Sequence, residues 1–121
     1  MEMDSGMAWV HDIPQGIAEG RAQHKPVMID FYAEWCAACK ELSRRTFSDS
    51  LVQERLKNFV CIKADFTVQT PEVERSAREY GIRGLPTIEF ISPTGERLPE
   101  KRITGFVDAK TFLARIRDIG R

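Results

Sequence analysis

Residues 27–40 read VMIDFYAEWCAACK, and this stretch decides the fold. Its first part is an apolar run interrupted only by Asp30, which is the pattern of a central strand buried on both faces. Its second part places Cys36 and Cys39 in a CxxC spacing, and from there to about residue 46 the chain contains strong helix formers and no helix breaker. The stretch therefore predicts a strand that leads directly into a helix, with two thiols at the junction.

This junction favours thiol chemistry. In the first turn of a helix, Cys36 faces unpaired backbone N–H groups and the positive end of the helix dipole, which both favour its thiolate. Cys39 lies about one turn deeper on the same face, close enough to form a disulfide and shielded from solvent. We therefore interpret Cys36 as the attacking nucleophile and Cys39 as the resolving thiol of a thiol-disulfide exchange reaction.

Two other uses of the CxxC remain open. A tetrahedral zinc site needs four ligands, and only Cys61, His11 and His24 are left to supply them, without finger-like spacing. We therefore expect neither a metal nor another cofactor. A static disulfide would instead make the domain a binding module without catalysis. Cys61 lies in a β-rich run and is predicted to be a small buried hydrophobic residue.

Length and charge restrict the organisation and the partners. The chain has 121 residues, which is enough for one core, and its 18 basic and 18 acidic residues give no net charge that would attract nucleic acid or an anionic membrane. No apolar run approaches the roughly 18 residues of a membrane span. We expect a soluble monomeric domain over residues 9–121. Residues 1–8 lack the features of a secretory signal and are interpreted as an engineered, truncated or disordered start.

The remaining periodicity predicts the other elements of the domain. Helices are predicted over residues 13–24 with Asp12 as cap, after Ser48, from Thr70-Pro71 to a stop at Gly81, and after Asp108; strands are predicted over residues 59–66, 87–92 and around 102–104. This order of elements predicts an α/β domain, with a mixed four-stranded central sheet and helices on both faces.

The quoted stretch, followed by YGIRGLPT at residues 80–87, resembles the thioredoxin superfamily. Four longer segments are similar to the C-terminal periplasmic domains of the DsbD family of transmembrane disulfide reductases: residues 31–56 (FYAEWCAACKELSRRTFSDSLVQERL), 63–67 (KADFT), 84–96 (GLPTIEFISPTGE) and 102–116 (RITGFVDAKTFLARI). The resemblance implies the thioredoxin fold. Plain thioredoxins carry Gly-Pro between the cysteines and usually a helix-kinking proline near Arg44, and this chain has neither.

The family resemblance implies an electron relay. Such a domain accepts reducing equivalents from the cysteines of a membrane-embedded domain and passes them to a periplasmic partner domain, and through it to disulfide isomerases and cytochrome c maturation factors. The implied location is the periplasm, as a soluble domain of an inner-membrane protein. A free-standing thioredoxin-like reductase or oxidase, with a cytoplasmic location, is the alternative.

The resemblance also implies roles for individual residues. Asp30 matches the buried acid of thioredoxins and would exchange the proton of Cys39 through water, with a pKa raised by burial; the alternative is an exposed aspartate at a strand end. Pro86 matches the cis proline opposite the disulfide, and it would hold the backbone of Leu85 open for strand-like pairing with a substrate chain. The alternative for Pro86 is an ordinary proline before a strand.

The sequence leaves the roles of two further positions near the cysteines open. Trp35 flanks the nucleophile and belongs either to the docking surface for a partner or to ordinary packing. Ser43 occupies a position, four residues after Cys39, where the DsbD family often has a second acid. Control of the thiol pKa by an acid at that position is therefore not expected, and Glu41 would be a weak substitute.

Overall fold

A computed structural model describes residues 6–120 of the chain, and a single mixed sheet lies at its centre. The strands are β1 (Trp9–Val10), β2 (Val27–Tyr32), β3 (Val60–Asp65), β4 (Thr87–Ile91) and β5 (Ile103–Thr104). They lie in the order β1-β3-β2-β4-β5. β1, β3 and β2 are parallel neighbours, β4 pairs antiparallel with β2, and β5 pairs antiparallel with β4. This is the thioredoxin arrangement that the sequence predicts.

The sheet has five strands, so the expected number of four was wrong by one. The additional strand, β1, has two residues and pairs in parallel with β3, where Trp9 lies opposite Cys61 and Val10 opposite Ile62. Two residues show no alternation by themselves, and β1, unlike β5, does not follow a strand and a turn that would mark it as a hairpin partner. The edge strand can therefore be identified only from its pairing.

Helices cover both faces of the sheet, as predicted. They are α1 (Ile13–Gln23), α2 (Ala37–Glu41), α3 (Ser50–Leu56), α4 (Pro71–Tyr80) and α5 (Ala109–Ile116), with a short 3-10 turn at Pro99–Lys101. One apolar cluster contains Met28 and Phe90 from the sheet with Leu42, Phe47, Leu56, Phe112 and Ile116. The other contains Ile29, Phe31 and Ile62 with Tyr80, and Ile17 and Val73 pack against it. The first cluster lies on the sheet face that the segment after the cysteines covers.

The segment that carries the cysteines is helical to residue 46, but not uniformly. After α2 the chain forms a π-helical turn at Leu42–Thr46, in which the N–H of Phe47 donates to the carbonyl of Leu42 at 2.9 Å. A π turn contains one more residue than an α turn and is frequent at functional sites. The extent of the helical segment was therefore predicted correctly, but its π-helical turn was not predicted.

The predicted helix ends are confirmed with one exception. Asp12, Thr70 and Asp108 each accept a backbone N–H as N-caps, and Gly81 ends α4 with a φ of 63°. The exception is Ser48, because Asp49 caps α3 through bonds from the N–H groups of Leu51 and Val52 at 2.9 and 3.0 Å. A carboxylate one residue later satisfies both N–H groups at once, and the Ser48 hydroxyl donates to the carbonyl of Arg44 instead.

The start of the chain is described only in part. Residues 1–5 lie outside the described residues, so the interpretation of residues 1–8 is testable only at its end, where Met7 packs against the first apolar cluster. Within residues 6–120, the helices are all too short or too polar to cross a bilayer.

Candidate active site

The two cysteines form a disulfide at the point where the chain enters α2. Cys36 is the N-cap residue of this helix, and its Cα lies 5.2 Å from the Cα of Cys39. The backbone N–H of Cys39 donates to the sulfur of Cys36 at 3.2 Å. An N–H in this position is a donor that a thiolate on the Cys36 sulfur would use.

Both sulfurs are largely protected from solvent. Cys36 is 8% exposed and Cys39 is 3% exposed, and together with Ala33 they form a small apolar cluster, here called the redox cluster. Leu85 packs against this cluster, and the peptide bond between Leu85 and Pro86 is cis, as the family resemblance implies. The structure thus brings the expected substrate-binding backbone next to the expected nucleophile.

Trp35 lies beside the redox cluster but outside the core. Its side chain is 67% exposed, so ordinary packing does not explain it. Its indole N–H donates to the backbone carbonyl of Thr67 at 3.0 Å. The ring is therefore an exposed apolar surface held at a fixed place next to Cys36.

Asp30 is buried, which excludes the alternative of an exposed residue at a strand end. It lies in β2 with 2% exposure, directly opposite Lys63 of β3 in the parallel register, and Lys63 Nζ lies 3.1 Å from Asp30 Oδ2. Side chains alternate along a strand, so Asp30 points to the same face as Met28, which is the face covered by the helical segment after Cys39. Burial raises the pKa of Asp30 to about 7.

Aromatic rings surround the Lys63 ammonium. Its Nζ lies 4.6 Å from the ring centre of Trp9, 4.7 Å from that of Tyr32 and 5.7 Å from that of Phe47. The faces of aromatic rings attract a cation, so these three rings stabilise a buried ammonium beside Asp30. Within residues 6–120, the second oxygen of Asp30, Oδ1, is buried without a hydrogen-bond partner. This oxygen is available to accept a proton.

Sequence reasoning missed Lys63 and the supporting role of Thr67. A signal for Lys63 was present, since a charged residue inside the apolar run at residues 59–66 is as unusual as Asp30 in its own strand. No pattern indicated Thr67, because its contacts join segments 32 and 33 residues apart in the chain.

The other residues considered at the sequence level have simpler environments. Cys61 is buried, and burial raises the pKa of its thiol to about 12, so it is a neutral core residue as predicted. Ser43 is buried too, and within the described part of the chain its hydroxyl has no hydrogen-bond partner. Glu41 pairs with Arg44 at 3.0 Å and Arg45 at 3.1 Å, and these bonds lower its pKa. Glu41 is thus bound to surface arginines rather than replacing an acid at position 43.

A groove on the other face of the sheet is separate from the redox cluster. This groove of about 910 Å³ lies between α1 and α4, and its apolar lining includes Ile13, Ile17, Val73 and Tyr80, none of which belongs to the redox cluster.

Stability should depend on pH through Asp30. Because its pKa is about 7 in the folded chain against an ordinary 3.8, the folded state binds a proton more strongly than the unfolded state, and stability should fall as the pH rises from about 4 to about 7. Urea unfolding of the oxidised chain between pH 4 and pH 8 should show this slope, and Asp30→Asn should remove it.

The control for this measurement is Lys63→Met. Loss of the ammonium removes a nearby positive charge, so the decline in stability should persist and extend to higher pH. Equal slopes in the parent and in Asp30→Asn would contradict the assignment of the slope to Asp30.

Comparison with known proteins places these features in a wider group. The family model described as thioredoxin-like matches residues 8–93. The chain is 42% identical over 113 residues to the thiol:disulfide interchange protein DsbD of Yersinia enterocolitica, covering 93% of this chain and 20% of that protein. It therefore spans about a fifth of the length of the curated relatives that it matches.

Solved structures give the same picture. A thioredoxin from Thermus thermophilus superposes with a TM-score of 0.77 at 31% identity, covering 93% of this chain and 85% of that one. The oxidised C-terminal domain of DsbD from Neisseria meningitidis superposes with a TM-score of 0.75 at 29% identity, covering 93% of this chain and 99% of that one. The likeness thus extends over nearly all of the described fold.

Proposed function

The chain belongs to the thioredoxin-like family and is a thiol-disulfide oxidoreductase domain, and from this premise we propose that it is the electron-relay domain of a DsbD-like disulfide reductase. One observation carries the proposal: Cys36 and Cys39 form a disulfide at the entry to α2, with a backbone N–H donated to the Cys36 sulfur. This arrangement supports a thiolate that attacks and a second thiol that resolves.

The proposed reaction transfers two electrons and two protons. The Cys36 thiolate attacks one sulfur of a partner disulfide, a mixed disulfide forms, and the other partner sulfur leaves as a thiolate that takes a proton from water. The Cys39 thiol then loses its proton to the Asp30 carboxylate, directly or through water, and attacks the Cys36 sulfur. The second partner sulfur leaves as a thiolate and takes up a proton from solvent, and Asp30 releases the proton that it accepted. The partner is thereby reduced to a dithiol, and the Cys36–Cys39 pair is oxidised to the disulfide.

The roles of the surrounding residues follow from their positions. Leu85 offers backbone groups beside the redox cluster, and Pro86, which has no N–H, does not compete with a partner chain that pairs there. Trp35 provides exposed apolar surface on the other flank of Cys36. These three residues would hold the partner polypeptide while the sulfurs exchange.

The proposed partners are parts of the same relay. A membrane-embedded domain would reduce the Cys36–Cys39 disulfide, and a periplasmic domain would receive the electrons. The proposed location of this domain, residues 9–121, is therefore the periplasm. The similarity to a fifth of DsbD supports this assignment. A free-standing thioredoxin is the second candidate, favoured by 31% identity to a Thermus thermophilus thioredoxin, 85% of which the chain covers.

Asp30→Asn should slow the resolving step by roughly 10²-fold, because Cys39 then loses its proton acceptor. The mixed disulfide of Cys36 with thionitrobenzoate, a coloured aromatic thiol, allows this step to be followed as release of the thiol. In the parent chain the rate should rise with an inflection near pH 7, the pKa of Asp30, and the inflection should disappear in the variant. Identical pH profiles would exclude Asp30 as the acceptor.

The reduction potential tests the proposed direction of electron flow. Equilibration of the Cys36–Cys39 pair with glutathione buffers should give about −200 mV or lower, as for reducing thioredoxin-type domains. A value near −120 mV, as in the oxidant DsbA, would reverse the assigned direction. A second assay distinguishes a relay domain from a free-standing thioredoxin. As a relay domain, the reduced chain should reduce the isolated N-terminal domain of a DsbD relative faster than it reduces insulin. The opposite preference would favour a free-standing thioredoxin.

A further inference from the structure

Besides Asp30, the sheet buries a second carboxylate, Glu89, which the proposed reaction does not use. Glu89 lies in β4 with 2% exposure, and its neighbours Ile88 and Phe90 belong to the first apolar cluster. Because side chains alternate along a strand, Glu89 points to the opposite face of the sheet from that cluster and from Asp30. It therefore needs a compensating partner of its own.

That partner is Arg102, which directly precedes β5. Its Nη2 lies 2.7 Å from Glu89 Oε2. In the part of the chain that the structure describes, the other oxygen, Oε1, is buried without a hydrogen-bond partner. A buried carboxylate is costly unless it is paired, so the ion pair with Arg102 is what compensates the charge of Glu89.

The same guanidinium also binds the end of a helix. Arg102 Nη2 donates to the backbone carbonyl of Tyr80, and Arg102 Nη1 donates to that of Gly81 at 3.3 Å. Tyr80 is the last residue of α4, and Gly81 is its C-cap. Carbonyls at the end of a helix have no partner within the helix, so Arg102 supplies donors for two of them.

The groups that Arg102 joins lie on either side of one loop. Residues 82–86, here called the Leu85 loop, connect α4 to β4. Tyr80 and Gly81 precede the loop, and Glu89 is the third residue after it. One planar guanidinium, which presents five N–H donors in a fixed fork, therefore links the two ends of the loop.

The Leu85 loop carries the backbone that the proposed function assigns to partner binding. Leu85 packs against both the redox cluster and the second apolar cluster. The far end of the loop has a bond of its own, since the N–H of Gly105 donates to the carbonyl of Pro86 at 2.9 Å. The near end is the one that Arg102 ties to β4.

We propose that Glu89 and Arg102 are positioning residues for partner binding, because their buried ion pair fixes the Leu85 loop in the conformation in which its backbone pairs with the partner polypeptide. A loop that is already ordered loses less conformational entropy when a partner binds. Loss of the pair therefore weakens binding and leaves the chemistry at the sulfurs intact. This inference rests on the proposed function and adds two residues to it.

The test separates positioning from stability with two variants of the whole chain. Arg102→Met keeps most of the side-chain volume and leaves Glu89 buried without its partner. The double variant Glu89→Met with Arg102→Met removes both charges. Replacing both members of a buried ion pair by apolar groups is often neutral for stability, whereas removing one member is strongly destabilising. The double variant should therefore unfold in urea closer to the parent than Arg102→Met does.

The substrate is a synthetic peptide dimer linked by a disulfide, with excess dithiothreitol regenerating the reduced chain. Both variants should raise the KM for this dimer about 3- to 10-fold, the range expected when one loop must become ordered on binding. The kcat should change less than about two-fold. The double variant should keep the raised KM in spite of its recovered stability, because it still lacks donors for the carbonyls of Tyr80 and Gly81.

Hydrogen exchange gives a readout that does not depend on catalysis. The N–H of Ile82, the first residue of the Leu85 loop, donates to the carbonyl of Ala77 at 2.8 Å. By NMR, exchange of this N–H with solvent should be faster in Arg102→Met and in the double variant than in the parent, because the end of α4 is then released from β4.

Lys101→Met is the matched control. Lys101 is the neighbour of Arg102 in the chain, but its ammonium pairs with Asp118 at 2.6 Å. Its substitution also removes one cation and one ion pair, neither of which lies at the Leu85 loop. The KM for the peptide dimer and the exchange of the Ile82 N–H should both keep their parent values.

The outcomes distinguish the positioning role from the proposed function. If the parent reduces the peptide dimer, but the double variant has the parent's KM or Lys101→Met raises the KM equally, the positioning role is overturned and the proposed function stands. Parent-like exchange of the Ile82 N–H in Arg102→Met would overturn the positioning role as well. If the parent does not reduce the dimer, the proposed function fails, and the positioning role fails with it.

Discussion

Cys36→Ser is expected to lower the disulfide reductase activity of the chain by at least about 10³-fold, to the background of the reductant alone. A serine hydroxyl is not ionised near neutral pH and cannot form a disulfide with Cys39, so neither step of the exchange remains. Insulin reduction with dithiothreitol as the electron source measures the loss. Alkylation of the reduced parent at neutral pH should label Cys36 faster than an ordinary surface thiol, since the bonded N–H favours its thiolate.

Cys61→Ser is the matched control for this experiment. It makes the same chemical change at a thiol that is buried in the core and whose pKa is raised to about 12, so the activity should stay within about two-fold of the parent. Urea unfolding of both variants would show that they are folded. Equal activity of Cys36→Ser and the parent would identify the Cys36–Cys39 pair as a static disulfide in a binding module.

Cys39→Ser should show a different defect, in which the first step survives and the second is lost. Cys36 still attacks a partner disulfide, but no neighbouring thiol displaces the partner, so a mixed disulfide accumulates in a one-to-one ratio. An intramolecular thiol acts with an effective concentration far above that of any thiol in solution, and its removal should lower multiple turnover by at least about 10³-fold. Mass spectrometry of the intact protein after mixing with a disulfide-linked peptide measures the trapped species.

A comparison of the two variants shows which cysteine attacks the partner and which one resolves the mixed disulfide. Cys36→Ser should trap no partner, whereas Cys39→Ser should trap one partner per chain. Trapping by Cys36→Ser and not by Cys39→Ser would exchange the assigned roles, because the more accessible thiol would then be Cys39. The exposures of 8% for Cys36 and 3% for Cys39 favour the assignment made here.

Local patterns were sufficient for most of the fold. The apolar run before Cys36 predicts the central strand, and caps such as Asp12 and Asp108 mark helix starts because each satisfies its own neighbouring N–H groups. The two-residue strand β1 was not predicted, since it is defined by its pairing with β3. The π turn at Leu42–Thr46 was not predicted either, because helix propensities do not distinguish it from an α-helical turn. The cis peptide bond before Pro86 was predicted from the family resemblance, because the local sequence alone favours a trans bond.

The candidate site was predictable to a similar degree. The spacing of Cys36 and Cys39 and the unusual position of Asp30 were visible in the sequence. To predict that Lys63 pairs with Asp30, one must know the register of two strands, because the two residues are 33 positions apart in the chain. To predict the hydrogen bond of the Trp35 indole, one must know the position of the loop at Thr67, which no sequence pattern indicates. Sequence reasoning thus found the groups that react and missed those that hold them.

The register between β2 and β3 has a mechanical consequence for proton transfer. Asp30 and Lys63 are attached to neighbouring strands in the interior of the sheet, and β2 is bonded to β3 on one side and to β4 on the other. Their backbones cannot move apart without breaking ladder hydrogen bonds, so a change of charge at Asp30 must be accommodated by side-chain rotation or by water. The acid is therefore fixed to a strand that is hydrogen-bonded on both sides, so proton transfer to it must involve motion of side chains or of water rather than of the sheet.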